Sequence, residues 1–219
     1  AYTKQPIPEG VRSSYEKTNY LHYTFSMAGQ KISKIFVNSE EHGVQNVSMN
    51  IYVMERKLLI DEIKKGFVLG NKFFERDVLA PQTEKLNIQG YEFTGYQARI
   101  DDMKSYFDEN MKLLKDENLD SLFSGNPIYT KVRDDNPTRY INGSKAKNVM
   151  VADGCVIEGE IENSILFRGV KVAKGAKVKN CILMQDTVIE AGAEIEYVVS
   201  DKYVTVSEGK QLKGTDSFP

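Results

Sequence analysis

The sequence predicts a mixed α/β segment followed by a coil of short stacked β-strands, and three observations carry that expectation. A four-residue unit returns at Val151-Ala152-Asp153-Gly154, Val172-Ala173-Lys174-Gly175, Ile189-Glu190-Ala191-Gly192 and Val206-Ser207-Glu208-Gly209, the last three starting 17 residues apart. Two aliphatic columns keep the same step, Ile161/Val178/Ile195 and Ile165/Ile182/Val199. Before residue 125 this pattern is absent, and β-rich runs alternate with stretches of helical period.

Taken in order, residues 31–38 and 46–53 are β-rich and predict strands, and residues 54–65 place Leu58, Leu59 and Ile63 on one helical face. Residues 73–79 predict a short helix ahead of Ala80-Pro81, and residues 88–95 a strand. Residues 101–117 predict one long amphipathic helix with Met103, Phe107, Met111 and Leu114 on one side, capped by Asp101 or Asp102. Residues 125–136, rich in Gly, Pro and charge, read as a connection. The expected domains are 1–124, a linker over 125–143 and a coil domain over 144–219.

The coil type follows from the spacing. One aliphatic residue recurs about every six positions, with small, glycine and charged residues between, whereas helical repeats run to about 33–47 residues at a 3.6 period. An isolated unit this short buries little, but stacked copies share one core. A turn of roughly 18 residues with three flat sides fits a left-handed parallel β-helix of hexapeptide repeats, with Gly154, Gly175, Gly192 and Gly209 at corners needing positive φ. The step of 17 and a first interval of 21 predict trimmed or inserted corners. The alternative, an antiparallel sandwich with regular turns, does not repeat columns this faithfully.

With 29 Lys plus Arg against 31 Asp plus Glu, neither nucleic acid nor an acidic membrane has electrostatic support as a partner. No targeting or membrane segment is visible, and Cys155 and Cys181 read as small buried thiols of a reducing, cytoplasmic setting. The two histidines, His22 and His42, precede the coil and read as surface residues.

The succession of Ser48-Met49-Asn50-Ile51-Tyr52, a helix, the run from Tyr96 to Leu114, Pro127-Ile128-Tyr129-Thr130 and the coil resembles ADP-glucose pyrophosphorylase, the glucose-1-phosphate adenylyltransferase family. Pro137-Thr138-Arg139-Tyr140, the run from Asn163 to Val172 and Cys181-Ile182-Leu183-Met184-Gln185 are most similar to its GlgD type. The resemblance implies that the first domain is the C-terminal part of a Rossmann-like nucleotidyltransferase domain, in a fragment lacking the N-terminal part. It also implies a chemistry joining ATP to glucose 1-phosphate, with Mg²⁺ and ATP as cofactors of the catalytic members.

That chemistry needs a backbone cradle for phosphates, cations for charge and a carboxylate for Mg²⁺. No Gly-rich phosphate loop is present, so no cofactor is expected in this fragment and no turnover by it alone. Alignment on the family places Ser39 at the sugar-phosphate lysine and Arg99 at the metal-binding aspartate. Serine does not neutralise a phosphate and a guanidinium repels Mg²⁺. Asp101 and Asp102 read as helix caps in preference to substitute ligands.

The resemblance therefore implies a regulatory subunit that is not catalytic in itself and associates with a catalytic GlgC-type partner in a homo- or hetero-oligomer, a tetramer by analogy. Residues 203–212 at the coil edge and the apolar face of 101–117 are candidate interfaces. An alternative is a full-length protein competent as an adenylyltransferase. A hexapeptide-repeat acyltransferase is disfavoured because the coil contains no histidine to serve as general base. Lys131, Arg133, Arg139, Lys145 and Lys147 surround the entry to the coil and offer phosphate ligands for an anionic small-molecule effector, or a solvated basic linker.

Overall fold

The computed structural model describes residues 1–7, 23–39, 41, 43–125 and 128–219, which divide into two compact units, residues 1–95 and 96–219. His22 and His42, and Pro127 of the quoted run, lie outside the described residues. Among the described residues no helix is long and apolar enough to cross a membrane.

In the first unit, β1 (Tyr2–Ile7), β2 (Tyr23–Ala28), β3 (Lys31–Val37) and β4 (Gly43–Ser48) form a sheet in the order β1-β4-β2-β3, with every pair antiparallel. Tyr2, Tyr23, Phe25, Ile32, Ile35 and Leu79 make its core. The strand expected over 46–53 ends at Ser48 because Asn50 turns into the left-handed region (φ 56°) and its N–H donates to Ser48 Oγ at 3.1 Å. Helix α1 (Arg56–Leu69) follows, ended by a left-handed Gly70. Its buried face carries Glu62 and Gly66, not the expected aliphatic stripe: Ile63 is 55% exposed. Gly66 faces the side chains of Asn71 and Val78, where an added Cβ would lie 3.5–3.7 Å away, at ordinary van der Waals distance. Residues Phe74–Leu79 form a π-helical turn, held at its start by Asp77 Oδ2, which accepts from the Lys72 and Phe73 N–H groups at 2.9 and 3.0 Å. The strand expected over 88–95 is reduced to single bridges, Gln89 to Lys31 and Glu92 to Tyr2.

The single helix expected over 101–117 is two, α2 (Met103–Lys112) and α3 (Asp116–Phe123). Asp102 caps α2 in a reciprocal box with Ser105. Met103 is largely exposed, while Phe107 is buried and its ring meets that of Tyr197. That packing explains why the compact division falls after Gly95, grouping both helices with the coil, and not at the composition change near residue 125.

The coil is built from twelve parallel strands: β5 (Arg139–Tyr140), β6 (Lys145–Val151), β7 (Val156–Ile157), β8 (Glu160–Leu166), β9 (Lys171–Val172), β10 (Lys177–Lys179), β11 (Ile182–Leu183), β12 (Val188–Ile189), β13 (Glu194–Glu196), β14 (Val199–Ser200), β15 (Thr205–Val206) and β16 (Gln211–Lys213). The expected columns are in register: Ile161, Val178 and Ile195 pair in turn, as do Ile165, Ile182 and Val199. Ile157, Val172, Ile189 and Val206 form a further column and line the interior together with Leu166 and Leu183. Neighbouring residues of a strand face opposite ways, so Ile165, beside the inward Leu166, is buried on the outer surface of β8, the strand against which α2 packs.

The first tetrapeptide is not in register with the other three. Val151 pairs with Leu166, so Gly154 belongs to a corner column continued by Gly169, Asp186 and Tyr203, whereas Gly175, Gly192 and Gly209 form another. The coil step explains the irregular first interval. Val156 pairs with Lys171, 15 residues on, while Lys171 pairs with Val188, 17 on. The trim lies at Glu158-Gly159, two residues between strands where the next coil has the four residues 173–176. Gly159 is obligatory there, since a Cβ would sit 2.4 Å from the Ala176 carbonyl oxygen and 2.8 Å from that of Ala173.

Candidate functional site

The first unit encloses a cavity of about 320 Å³ between the sheet, the chain after β4 and the π-helical turn. Tyr2, Phe25, Tyr52 and Phe74 supply aromatic walls, and Glu62 and Glu75 are its carboxylates. Both glutamates are 5% exposed. Ser48 Oγ donates to Glu75 Oε1 at 2.6 Å and lies 3.4 Å from the Tyr52 hydroxyl. The local sequence builds this cluster: β4 ends at Ser48, the turn at Asn50 returns Tyr52, and the π-helical turn aims Glu75 inward, as such turns do at functional sites. Burial, followed by the bond to Glu75, pushes the Tyr52 phenol well above its ordinary range. Glu62 Oε1 accepts from Lys65 and Oε2 from Gln82, both at 2.7 Å, which holds that carboxyl below the usual carboxylate range. No lysine, arginine or histidine lines the cavity among the described residues.

The sequence pointed to Ser48 and Tyr52 only as part of a motif, and to neither glutamate. Glu75, inside Phe73-Phe74-Glu75-Arg76-Asp77, is indistinguishable by pattern from the exposed Arg76 beside it. Its burial depends on the π-helical turn, which no propensity announces.

Ser39 follows β3, and its Oγ accepts from the Glu41 N–H at 3.2 Å. Arg99 Nε lies 2.7 Å from Asp101 Oδ2, a half-buried ion pair. Asp102 Oδ1 accepts from the Ser105 N–H at 2.7 Å. The carboxylates flanking Arg99 are thus engaged, one by the guanidinium and one by the helix terminus. Among the described residues no group of three or more His, Cys, Asp or Glu side chains is arranged to hold a metal ion.

The five basic residues at the coil entry are not brought to one place. Arg139 stands in the wall formed by β5, β7, β9, β12 and β15, whereas Lys145 and Lys147 stand in a different sheet. Lys145 pairs with Glu160 at 2.7 Å and Lys147 with Glu162 at 2.9 Å. Arg133 pairs with Asp135 at 3.2 Å, and Lys131 is exposed. Lys177–Glu194 and Lys179–Glu196 continue the two ladders at 2.8 and 3.3 Å. Signs therefore alternate from coil to coil along both rows.

Both cysteines are buried and unbridged. Burial raises the Cys155 thiol and pushes Cys181 up to about 12, so neither is a ready nucleophile. Cys181 shares its column with Ser164, whose Oγ accepts its N–H at 3.0 Å.

Residues 131–217 match the family model described as GlmU-like, C-terminal hexapeptide. The chain is 42% identical to the glycogen biosynthesis protein GlgD of Bacillus subtilis over 173 residues, covering 78% of this chain and 50% of that protein. It is 42% identical over 132 residues to GlgD of Geobacillus stearothermophilus, covering 60% and 38%. It is also 32% identical over 167 residues to a glucose-1-phosphate adenylyltransferase of Clostridium perfringens, covering 66% and 38%. The chain spans about half the length, or less, of these curated relatives.

Proposed function

We propose that this chain, a GlgD-type relative of the glucose-1-phosphate adenylyltransferases over the residues it spans, belongs to a glycogen-biosynthesis subunit that regulates and does not itself catalyse. The observation that carries the reading is the Arg99–Asp101 pair. At the position where the family's resemblance implies a Mg²⁺-binding aspartate stands a cation paired with Asp101, while Asp102 is committed to capping α2. A divalent cation there meets a guanidinium, and the two carboxylates next in sequence, Asp101 and Asp102, are both engaged. Ser39 at the sugar-phosphate lysine position supports the same reading, since a hydroxyl supplies no charge to a phosphate.

In this proposal the subunit acts in the cytoplasm on a catalytic GlgC-type partner, in a hetero-oligomer that the family resemblance makes a tetramer. Regulation is differential contact: the coil and its helices bind one conformation of the partner better than another and shift its population. The test is ADP-glucose formation from saturating ATP and glucose 1-phosphate by the full-length parent alone, by the catalytic subunit alone and by the mixture. The expected result is negligible turnover by the parent and altered turnover by the mixture. Turnover by the parent comparable to that of the catalytic subunit overturns the proposal.

A further inference from the structure

We propose that Asn142 is a site of spontaneous covalent modification in the folded chain, where the Gly143 backbone nitrogen closes on the Asn142 side chain and converts it to isoaspartate and aspartate. This goes beyond the regulatory reading and does not depend on it. The turn over residues 141–144 joins β5 to β6 and is closed by the Ser144 N–H, which donates to the Ile141 carbonyl at 2.9 Å. Gly143 stands third in that turn with φ 95°, a conformation that suits glycine. Asn142 and Gly143 are both exposed. Among the described residues neither the Gly143 N–H nor the Asn142 side-chain amide makes a hydrogen bond, and a Cβ at Gly143 would meet nothing within 4 Å. Nothing on the protein therefore opposes ring closure.

The chemistry needs only water and hydroxide. The Gly143 nitrogen, on losing its proton to hydroxide, attacks Asn142 Cγ; the N–Cγ bond forms, the Cγ–Nδ2 bond breaks and ammonia leaves, giving a cyclic imide. Water then opens the imide at one of its two carbonyls. One opening yields aspartate, and the other yields isoaspartate, which carries the main chain through its side-chain carbon. Asparagine is among the thermolabile side chains, and glycine, lacking Cβ, offers the least hindered nitrogen. Other candidates are tied. Gly154, which follows Asp153, donates its N–H to the Asn136 carbonyl at 2.6 Å. Asn148 and Asn163 lie inside β6 and β8 with their side chains bonded to each other. Asn180 is followed by Cys181, whose N–H is held by Ser164 Oγ at 3.0 Å. Each event at Asn142 turns a neutral amide into a carboxylate, taking the formal net charge from −2 to −3 just before Lys145, the first lysine of the charge ladder.

The experiment is incubation of the full 219-residue chain at mildly alkaline pH, followed by isoelectric focusing and peptide mapping, with the same chain in urea as the unfolded reference. An acidic band is expected to accumulate, faster as pH rises, and the mass change of –NH2 to –OH to localise to the peptide holding Asn142. In the folded chain Asn142 is expected to react at least about tenfold faster than Asn148, Asn163 or Asn180, and within about tenfold of its own rate in urea. Gly143→Ala, which hinders the nitrogen, is expected to slow the reaction. Should that variant unfold, Asn142→Gln, an exposed change that enlarges the ring to be closed, is expected to slow it at least about tenfold. A folded-state rate at Asn142 closer than about tenfold to those of the corner asparagines, or more than about tenfold below its rate in urea, overturns the proposal. So does an acidic band undiminished in Asn142→Gln. The subunit assay above reads turnover of a partner, so failure of either test leaves the other standing.

Discussion

The ring of Phe107 lies 6.1 Å from that of Tyr197, the planes inclined at 48°, and this contact joins α2 to the coil. Tyr197 has φ 52°, the left-handed corner conformation that Asn148, Asn163 and Asn180 hold at 50°, 47° and 49° in the preceding coils. Asparagine visits that region readily, whereas a bulky residue there costs on the order of 1–3 kcal/mol. The aromatic contact returns about 0.5–1.5 kcal/mol beyond burial. The fourth corner thus trades conformational ease for a seat on which a helix docks.

Removing the knob tests that exchange. Phe107 is 3% exposed, so Phe107→Ala is expected to destabilise the second unit by about 3–5 kcal/mol, measured as a fall in the urea midpoint of near-ultraviolet ellipticity. Tyr197→Asn, which relieves the backbone while losing the ring contact, is expected to change stability by less than about 1.5 kcal/mol. A larger loss than that of Phe107→Ala contradicts the account.

Two glycines of the coil separate close approach from backbone conformation. Gly192→Ala has open space around its Cβ and a φ of 66°, and is expected to cost about 1–2 kcal/mol through strain alone. Gly159→Ala has to displace two backbone carbonyls and is expected to cost more, with loss of the β7–β8 corner. Thermal denaturation of the two variants side by side decides the ranking.

The thiol of Cys181 carries a pH signature. Burial pushes it up to about 12 in the fold, while in the unfolded chain it returns to the ordinary thiol range near 9. The native state therefore holds its proton where the unfolded state has lost one. The stabilisation is complete below pH 9 and is lost as pH rises from 9 toward 12. Urea titrations across that window should show a falling midpoint, shallower in Cys181→Ala. A disulfide-exchange reagent should label neither cysteine in the folded protein and both in urea.

The ladder should be sensitive to sign. Glu162 stands between Lys147 and Lys179, so Glu162→Lys places three like charges in line and is expected to lower the melting temperature more than Glu162→Gln. At high salt the two variants should converge, because exposed charges are screened within about 8 Å at physiological ionic strength. Equal melting temperatures at low salt contradict the account.

The coil was legible because its columns repeat: Ile161, Val178 and Ile195 have no reason to recur at one step except stacking. The first tetrapeptide was misplaced because Val151 and Val172 look alike while standing on different walls, and two residues trimmed at Gly159 are invisible without the register. Helix α1 was legible as a helix and its face was not, since Glu62 and Gly66 are buried for reasons of contact and not of hydropathy. Long-range geometry also hid the cavity: Ser48 and Glu75 are 27 positions apart, and nothing local to either announces the other. The basic residues near the coil entry looked like a cluster because sequence distance was short, but a coil sends residues six apart to different walls.

The two Lys–Glu rows also keep count. Because each coil reverses the sign of the one before, a strand that slips by one full coil sets lysine against lysine and glutamate against glutamate, while a slip of two restores attraction. The aliphatic interior, nearly identical in every layer, cannot tell those alignments apart. Parity written in charge on the outer surface distinguishes the correct stacking from the nearest wrong one, and it also discourages a neighbouring copy from lending a single layer to the array.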